Sequence, residues 1–230
     1  MEIIDNSALT PRYLPDDQVN MEGWHPDWVK SLILAQLRVE SATEEGTFQA
    51  AVRVLDHYQK MGVNAVWLTP IQDKGQTGNG YSNMGLHTVN PRLTGKDSYE
   101  ESWQVVKWFV DEAHRRNIRV YIDLIVWGTV KESPLVAEHP DWYKGFLNVW
   151  DGYKWNWYSE SLREWFCDWA VKIVMETGID GYRVDLEPFV TGHAMFAGLR
   201  KRLLSMGRKI SIFAECTSER DEAYDFDEQI

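Results

Sequence analysis

The sequence predicts an α/β protein built as a (β/α)8 TIM barrel that stops after its fifth strand. Three observations carry this. Strand and helix signals alternate strictly along the chain, which implies parallel strands joined by right-handed crossovers. The polar residues Asp123, Arg183, Asp185 and Glu215 gather at the C-terminal ends of the third, fourth and fifth strand signals, where barrel proteins concentrate their chemistry. There is no GxGxxG or GxxxxGKS/T turn, so the competing doubly wound, nucleotide-binding sheet loses ground.

Each element has its own signal. "SLILAQLRV" (31–39) is an apolar run of strand length. Phe48, Ala51, Val52, Leu55, Tyr58 and Met61 recur at helical spacing, and Gly62 ends that helix. "VNAVWLTPI" (63–71) is a second strand, followed by a Gly-rich loop. The next helix opens at 98 on a capping box, Ser98 with Glu101. "IRVYIDLIV" (118–126) is the third strand, and a long loop rich in Trp and Tyr covers about 127–158. Leu162, Trp165, Phe166, Trp169, Ala170 and Ile173 mark a helix that stops at Thr177-Gly178. "IDGYRVD" (179–185), a helix over about 193–206 and "KISIFAE" (209–215) complete the pattern. "HPDW" occurs at 25–28 and 139–142; both copies read as helix or turn starts. The organisation expected is a lead-in over 1–30 and a partial barrel over 31–230, with a short insertion at about 127–158.

Composition narrows the function. The chain has 230 residues and a net charge of −11. That balance argues against nucleic acid and anionic membranes as partners, since both demand a basic patch. No segment approaches the ~18 consecutive apolar residues of a membrane span. "MEIIDNSALT" lacks the basic start and apolar stretch of a signal peptide, so a cytoplasmic location is expected. Cys167 and Cys216 are expected as free core thiols. Twelve tryptophans are many for this length; they suit either a large core or a surface that stacks on sugar rings. Oligomeric state is not encoded legibly.

The sharpest signal is a pair of carboxylates. Side chains alternate along a strand, so Gly181, Arg183 and Asp185 share the inward face of theirs. Arg183 beside Asp185 is expected to favour the ionised carboxylate and lower its pKa, as a nucleophile requires. Glu215 ends the next strand. Strands lie roughly 4.8 Å apart, which brings two such carboxylates within about 5–5.5 Å, the separation of a retaining glycosidase. The apolar "IFA" before Glu215 is expected to keep it protonated as a general acid. The bland alternative is an Arg–Asp ion pair beside an unrelated glutamate.

With those residues in place, the chain resembles the α-amylase family of glycoside hydrolases, family 13. The resemblance runs from about Trp24 to Glu215. It rests on "HPDWVK", "EEGTFQAAVRVLDHYQKMGVNAVWLTPI", the stretch from "GYSNMGLHTVNP" to "YIDLIV", "GYRVD" and "AEC", in that order. It implies Asp185 as nucleophile, Glu215 as acid/base and Arg183 as the arginine beside the nucleophile. Tyr81 resembles the tyrosine that stacks under the sugar, and Asp123 the aspartate of the third-strand segment. The implied partner is an α-glucan or oligosaccharide, with no cofactor. Trp155 and Trp157, with Trp150 and Tyr153, are expected either to stack on glucose units, because the resembled family inserts a cleft-bounding segment at that point, or to cover the top of the barrel.

Two departures from the family pattern stand out. Its third-strand segment usually runs Asp-x-x-x-Asn-His, whereas "DLIVWG" puts Trp127 and Gly128 in the last two places. The asparagine that often binds calcium is absent with the histidine, so no metal is expected. The family's third acid, an aspartate after a histidine, has no counterpart, since no His-Asp dipeptide occurs. These departures keep a second expectation open: a catalytically impaired relative that binds glucan or a protein partner. A metal-dependent lyase would need a rim cluster of ligands that the sequence does not offer. "SERDEAYDFDE" (218–228) is expected as a solvated acidic tail.

Overall fold

The computed structural model of the chain describes residues 25–76, 80–185, 193–215 and 228–229. In chain order its elements begin with β1 (Leu34–Leu37), α1 (Val39–Ala42), α2 (Phe48–Lys60) and β2 (Ala65–Leu68). Next come α3 (Pro91–Thr94), α4 (Tyr99–His114), β3 (Arg119–Ile125) and β4 (Gly128–Val130). Then follow α5 (Pro134–Glu138), β5 (Tyr143–Leu147), β6 (Gly152–Trp155) and α6 (Glu160–Thr177). The last are β7 (Gly181–Asp185), α7 (His193–Ser205), β8 (Ser211–Ala214) and β9 (Glu228–Gln229).

One parallel sheet runs β1-β2-β3-β7-β8-β9. The alternation of strand and helix thus becomes successive parallel neighbours, as in a partial (β/α) barrel. Residues 218–227 of the expected acidic tail lie outside the described residues; its last residue, Glu228, belongs to the two-residue β9 and pairs beside Phe213 as a sixth strand. Trp24 and Cys216 lie outside the described residues.

The period-2 alternation separates two cores. Val66, Leu68, Val120, Ile122, Leu124, Tyr182, Val184, Ile212 and Ala214 face the helices and join their apolar stripes. Each buried Val, Leu or Ile among them contributes about 1.5–3 kcal/mol. Ala65, Tyr121 and Phe213 take the opposite, inner face and cluster with Trp28. Trp28 belongs to a 3-10 turn, Asp27–Ser31, and the second "HPDW" also opens one, Pro140–Trp142. Gly181 makes the inner layer possible, because a Cβ there would meet Ser211 O at 2.3 Å and the Tyr121 ring at 2.5 Å.

The helix ends follow their sequence signals. Thr47 and Ser98 accept from the N–H groups of Ala50 and Glu101, and Ser98 Oγ donates to the Glu101 carboxylate at 2.9 Å. Gly178 closes α6 with φ 78°, its N–H donating to Val174 O. Below the sheet, fully buried Asp180 accepts from His114 Nε2 at 2.7 Å, Arg119 Nη1 at 3.1 Å and Val120 N at 2.8 Å. Burial pushes its pKa up, but His114 and Arg119 outweigh this and hold it below the ordinary value.

The stretch expected as a long loop at 127–158 contains a second, antiparallel sheet in the order β4-β6-β5. Gly128 explains how the pairing starts: its φ is 154° and a Cβ would sit 1.8 Å from Tyr153 O. Asp151 occupies a turn at φ 49° and pairs with Lys131. None of the described helices is long and apolar enough to cross a membrane.

Candidate active site

The inner face of the sheet changes character toward its C-terminal end. Above the apolar layer of Tyr121 and Phe213 lies Asp123, directly across from Arg183 in the β3–β7 register. Asp185 comes one inward position later, and Glu215 follows the end of β8, its N–H donating to Val184 O at 2.9 Å. The parallel register therefore carries the three acids to one rim without any special loop.

Arg183 is the hub. Its Nη1 donates to Asp123 Oδ1 at 3.0 Å and Oδ2 at 3.2 Å, and to Asp185 Oδ1 at 2.6 Å. Its Nη2 lies 2.7 Å from Glu215 Oε2. Trp67, from β2, supports it twice: the guanidinium lies 4.6 Å from the indole centroid, and Trp67 Nε1 donates to Asp123 Oδ2 at 3.2 Å. Tyr81 reaches in from the loop after β2, its hydroxyl 3.0 Å from the same oxygen. Asp123 and Arg183 are buried, Asp185 is 5% exposed, and the Glu215 side chain is 40% exposed. The cluster thus opens to solvent at Glu215.

Three carboxylates around one guanidinium leave an excess of negative charge. Burial pushes Asp123 up to about 6 despite Arg183, Tyr81 and Trp67. Asp185 is pushed up to about 7 by burial, by the nearby charge of Asp123 and by a hydrogen bond with Glu215, against the pull of Arg183. The expectation that Arg183 lowers the Asp185 pKa is therefore corrected: one cation shared among three acids does not offset desolvation and like charge. Burial opposes the charge on Arg183, but Asp123 and Asp185 raise its pKa further from neutrality. Of the apolar residues before Glu215, Phe213 lies in the inner layer beneath it. Ile212 and Ala214 turn toward the helices, while the glutamate meets the guanidinium.

Trp155 and Trp157 are corrected on burial. Trp155 is 1% and Trp157 4% exposed, both inside the main core. Trp155 stacks on Tyr143 at 4.8 Å, and Trp157 Nε1 donates to Val126 O at 3.1 Å. Neither presents a free face to a sugar. The aromatic wall of the rim is a pair that sequence reasoning weighted less. Trp127 donates to Tyr81 O at 3.2 Å, and its ring lies 5.0 Å from that of Trp150, which is 40% exposed. Ile125, Val130, Tyr81, Met84 and Leu147 pack with Trp127. The only sequence signal for it was the replacement of the family's Asn-His by Trp127-Gly128. Among the described residues no group of three or more His, Cys, Asp or Glu is arranged to hold a metal ion.

Comparison with known proteins bears on the family and the fold. The family model of the α-amylase catalytic domain matches residues 20–144. A malto-oligosyltrehalose trehalohydrolase from Arthrobacter ramosus is 29% identical over 175 residues, covering 71% of this chain and 28% of that protein. The trehalose synthase/amylase TreS of Mycobacterium tuberculosis is 24% identical, covering 72% of this chain and 34% of its own length. The chain thus spans about a third of the curated relatives it matches. Among solved structures, the maltogenic α-amylase AmyB from Thermotoga neapolitana superposes with a TM-score of 0.74 at 24% identity, covering 87% of this chain and 49% of that one. The Geobacillus thermoleovorans α-amylase crystallised with acarbose gives 0.74 at 19% identity, covering 88% and 52%; at these identities the likeness speaks for the fold. The chain belongs to the α-amylase family, and its six-stranded sheet is part of that family's catalytic barrel.

Proposed function

We propose that this chain carries the nucleophile and acid/base half of a retaining glycoside hydrolase or transglycosylase acting on α-glucans. Asp185 attacks the anomeric carbon while Glu215 protonates the leaving oxygen. Water or another sugar hydroxyl, deprotonated by Glu215, then releases the glycosyl group. Arg183 positions both carboxylates, Asp123 anchors Arg183 and Tyr81, and Tyr81 supplies the ring under the sugar. The observation that carries the reading is the single guanidinium bonded to Asp185 and Glu215 at the ends of neighbouring strands.

The test is kinetic. Asp185→Asn removes turnover of malto-oligosaccharides, and Glu215→Ala loses it on poor leaving groups. Azide restores the Glu215→Ala variant on an activated glycoside, because a good leaving group needs no acid and azide needs no base. Equal activity of Asp185→Asn and the parent chain would end this reading.

A second reading has its own observation. Gly128 stands where the family carries a histidine, and Trp127, at the place of the asparagine, has its indole fastened to Tyr81 O. A relative that binds glucan without cleaving it would retain its ligand in Asp185→Asn and show no turnover in the parent chain.

A further inference from the structure

Outside the barrel, between α4 and α6, lies an open cleft of about 350 Å³ lined by His87, Tyr99, Trp165, Asp168, Trp169 and Lys172. That volume is within the range of small-ligand sites, roughly 300–1,000 Å³. Four of its residues, Trp165, Asp168, Trp169 and Lys172, occupy one stripe of α6 at i, i+3, i+4 and i+7. Its walls are fixed. Trp103 Nε1 donates to His87 O at 2.8 Å, the His87 ring lies 5.2 Å from Trp165, and Lys172 Nζ lies 4.4 Å from the Tyr99 centroid. Arg202 pairs with Asp168, whose side chain is still 71% exposed. Trp169 is 4% exposed, and its indole N–H has no acceptor among the described residues.

We infer that this cleft is a second carbohydrate-binding site that takes one neutral pyranose unit of an oligosaccharide. Aromatic faces suit the C–H faces of a sugar ring, and Asp168 and Lys172 offer an acceptor and donors to its hydroxyls. Lys172 already covers the Tyr99 face, which disfavours a cationic ligand, and Asp168 disfavours an anionic one. The His87 pKa is held below its ordinary value by partial desolvation and by Lys172. The preference for a neutral sugar follows from these residues alone; the choice of an α-glucan as probe rests on the function proposed above.

The test uses the indole N–H resonances of ¹⁵N-labelled Asp185→Asn chain titrated with maltoheptaose. Trp67 and Trp127 report on the rim, and Trp165 and Trp169 on the cleft; Trp169→Phe assigns the last. The Trp165 and Trp169 signals are expected to shift, and Asp168→Ala and Trp165→Phe to weaken that shift at least fivefold without moving the response of Trp67. Shifts of Trp67 and Trp127 alone would overturn the second site and leave the active-site reading standing. Shifts of Trp165 and Trp169 alone would support the second site and count against the active-site reading. No shift at any of the four overturns the second site.

Discussion

Arg183 Nη1 lies 2.6 Å from Asp185 Oδ1 and 3.0 Å from Asp123 Oδ1, so one guanidinium nitrogen bridges two buried carboxylates. Its other terminal nitrogen holds Glu215. A lysine cannot reproduce that fork. Arg183→Lys is expected to lower kcat/KM for malto-oligosaccharides at least 100-fold, and Arg183→Ala to cost about 3–5 kcal/mol of stability at pH 8 by leaving charge uncompensated. Steady-state kinetics and urea denaturation read the two effects separately.

The pH dependence has a definite sign. Asp185 titrates at about 7 in the folded chain, against an ordinary value of roughly 3.9. A carboxyl whose folded pKa is raised stabilises the fold fully below its unfolded pKa, and that contribution is lost as pH rises through the folded pKa. The stability difference between Asp185→Asn and the parent chain should therefore grow in favour of Asn from pH 4 to pH 7 and level off above. The expected gain at pH 8 is about 1–3 kcal/mol. Denaturation at a series of pH values measures it; a gap that shrinks with rising pH contradicts the charge balance described.

The same group sets the acid limb of activity. As the proposed nucleophile it must be ionised, so kcat/KM should fall below a midpoint near 7. An acid limb near pH 4 would mean that Asp185 ionises far more easily than its buried position implies.

Asp180 is the structural counterpart at the opposite end of the sheet. It is fully buried and bonded to His114, Arg119 and the Val120 amide. Its replacement by Ala strands a buried guanidinium and should cost about 3–5 kcal/mol, read as a lowered urea midpoint.

Trp155 separates packing from sugar contact. It is 1% exposed and stacked on Tyr143. Trp155→Ala is expected to cost about 3–5 kcal/mol of stability while the affinity for maltoheptaose, measured where the variant remains folded, stays within twofold.

What the sequence revealed depended on the range of the interactions involved. Strand periodicity and helix caps are local, so α4 with its Ser98 cap and α6 with its Gly178 stop were legible residue by residue. The gathering of Asp123, Arg183 and Asp185 was legible because an alternating strand in parallel register fixes which side chains share a face. The Asp185 pKa was not, because it depends on counting every charge around Arg183, and Asp123 lies 62 residues away in sequence. Trp155 and Trp157 misled for a similar reason. A tryptophan in a polar-looking stretch does not declare whether another strand covers it, and here β5 and α6 do. The sixth strand was hidden by its brevity, since two polar residues, Glu228 and Gln229, carry no alternating pattern.

The most direct test of the account is to incubate the chain with a fluorinated α-glucosyl fluoride that forms a glycosyl-enzyme faster than it releases it, and to map the label by peptide mass spectrometry. The account predicts a single fluoroglucosyl group on Asp185, absent from Asp185→Asn and formed more slowly in Arg183→Lys. A label on Glu215 or Asp123, or an unlabelled chain, would contradict it.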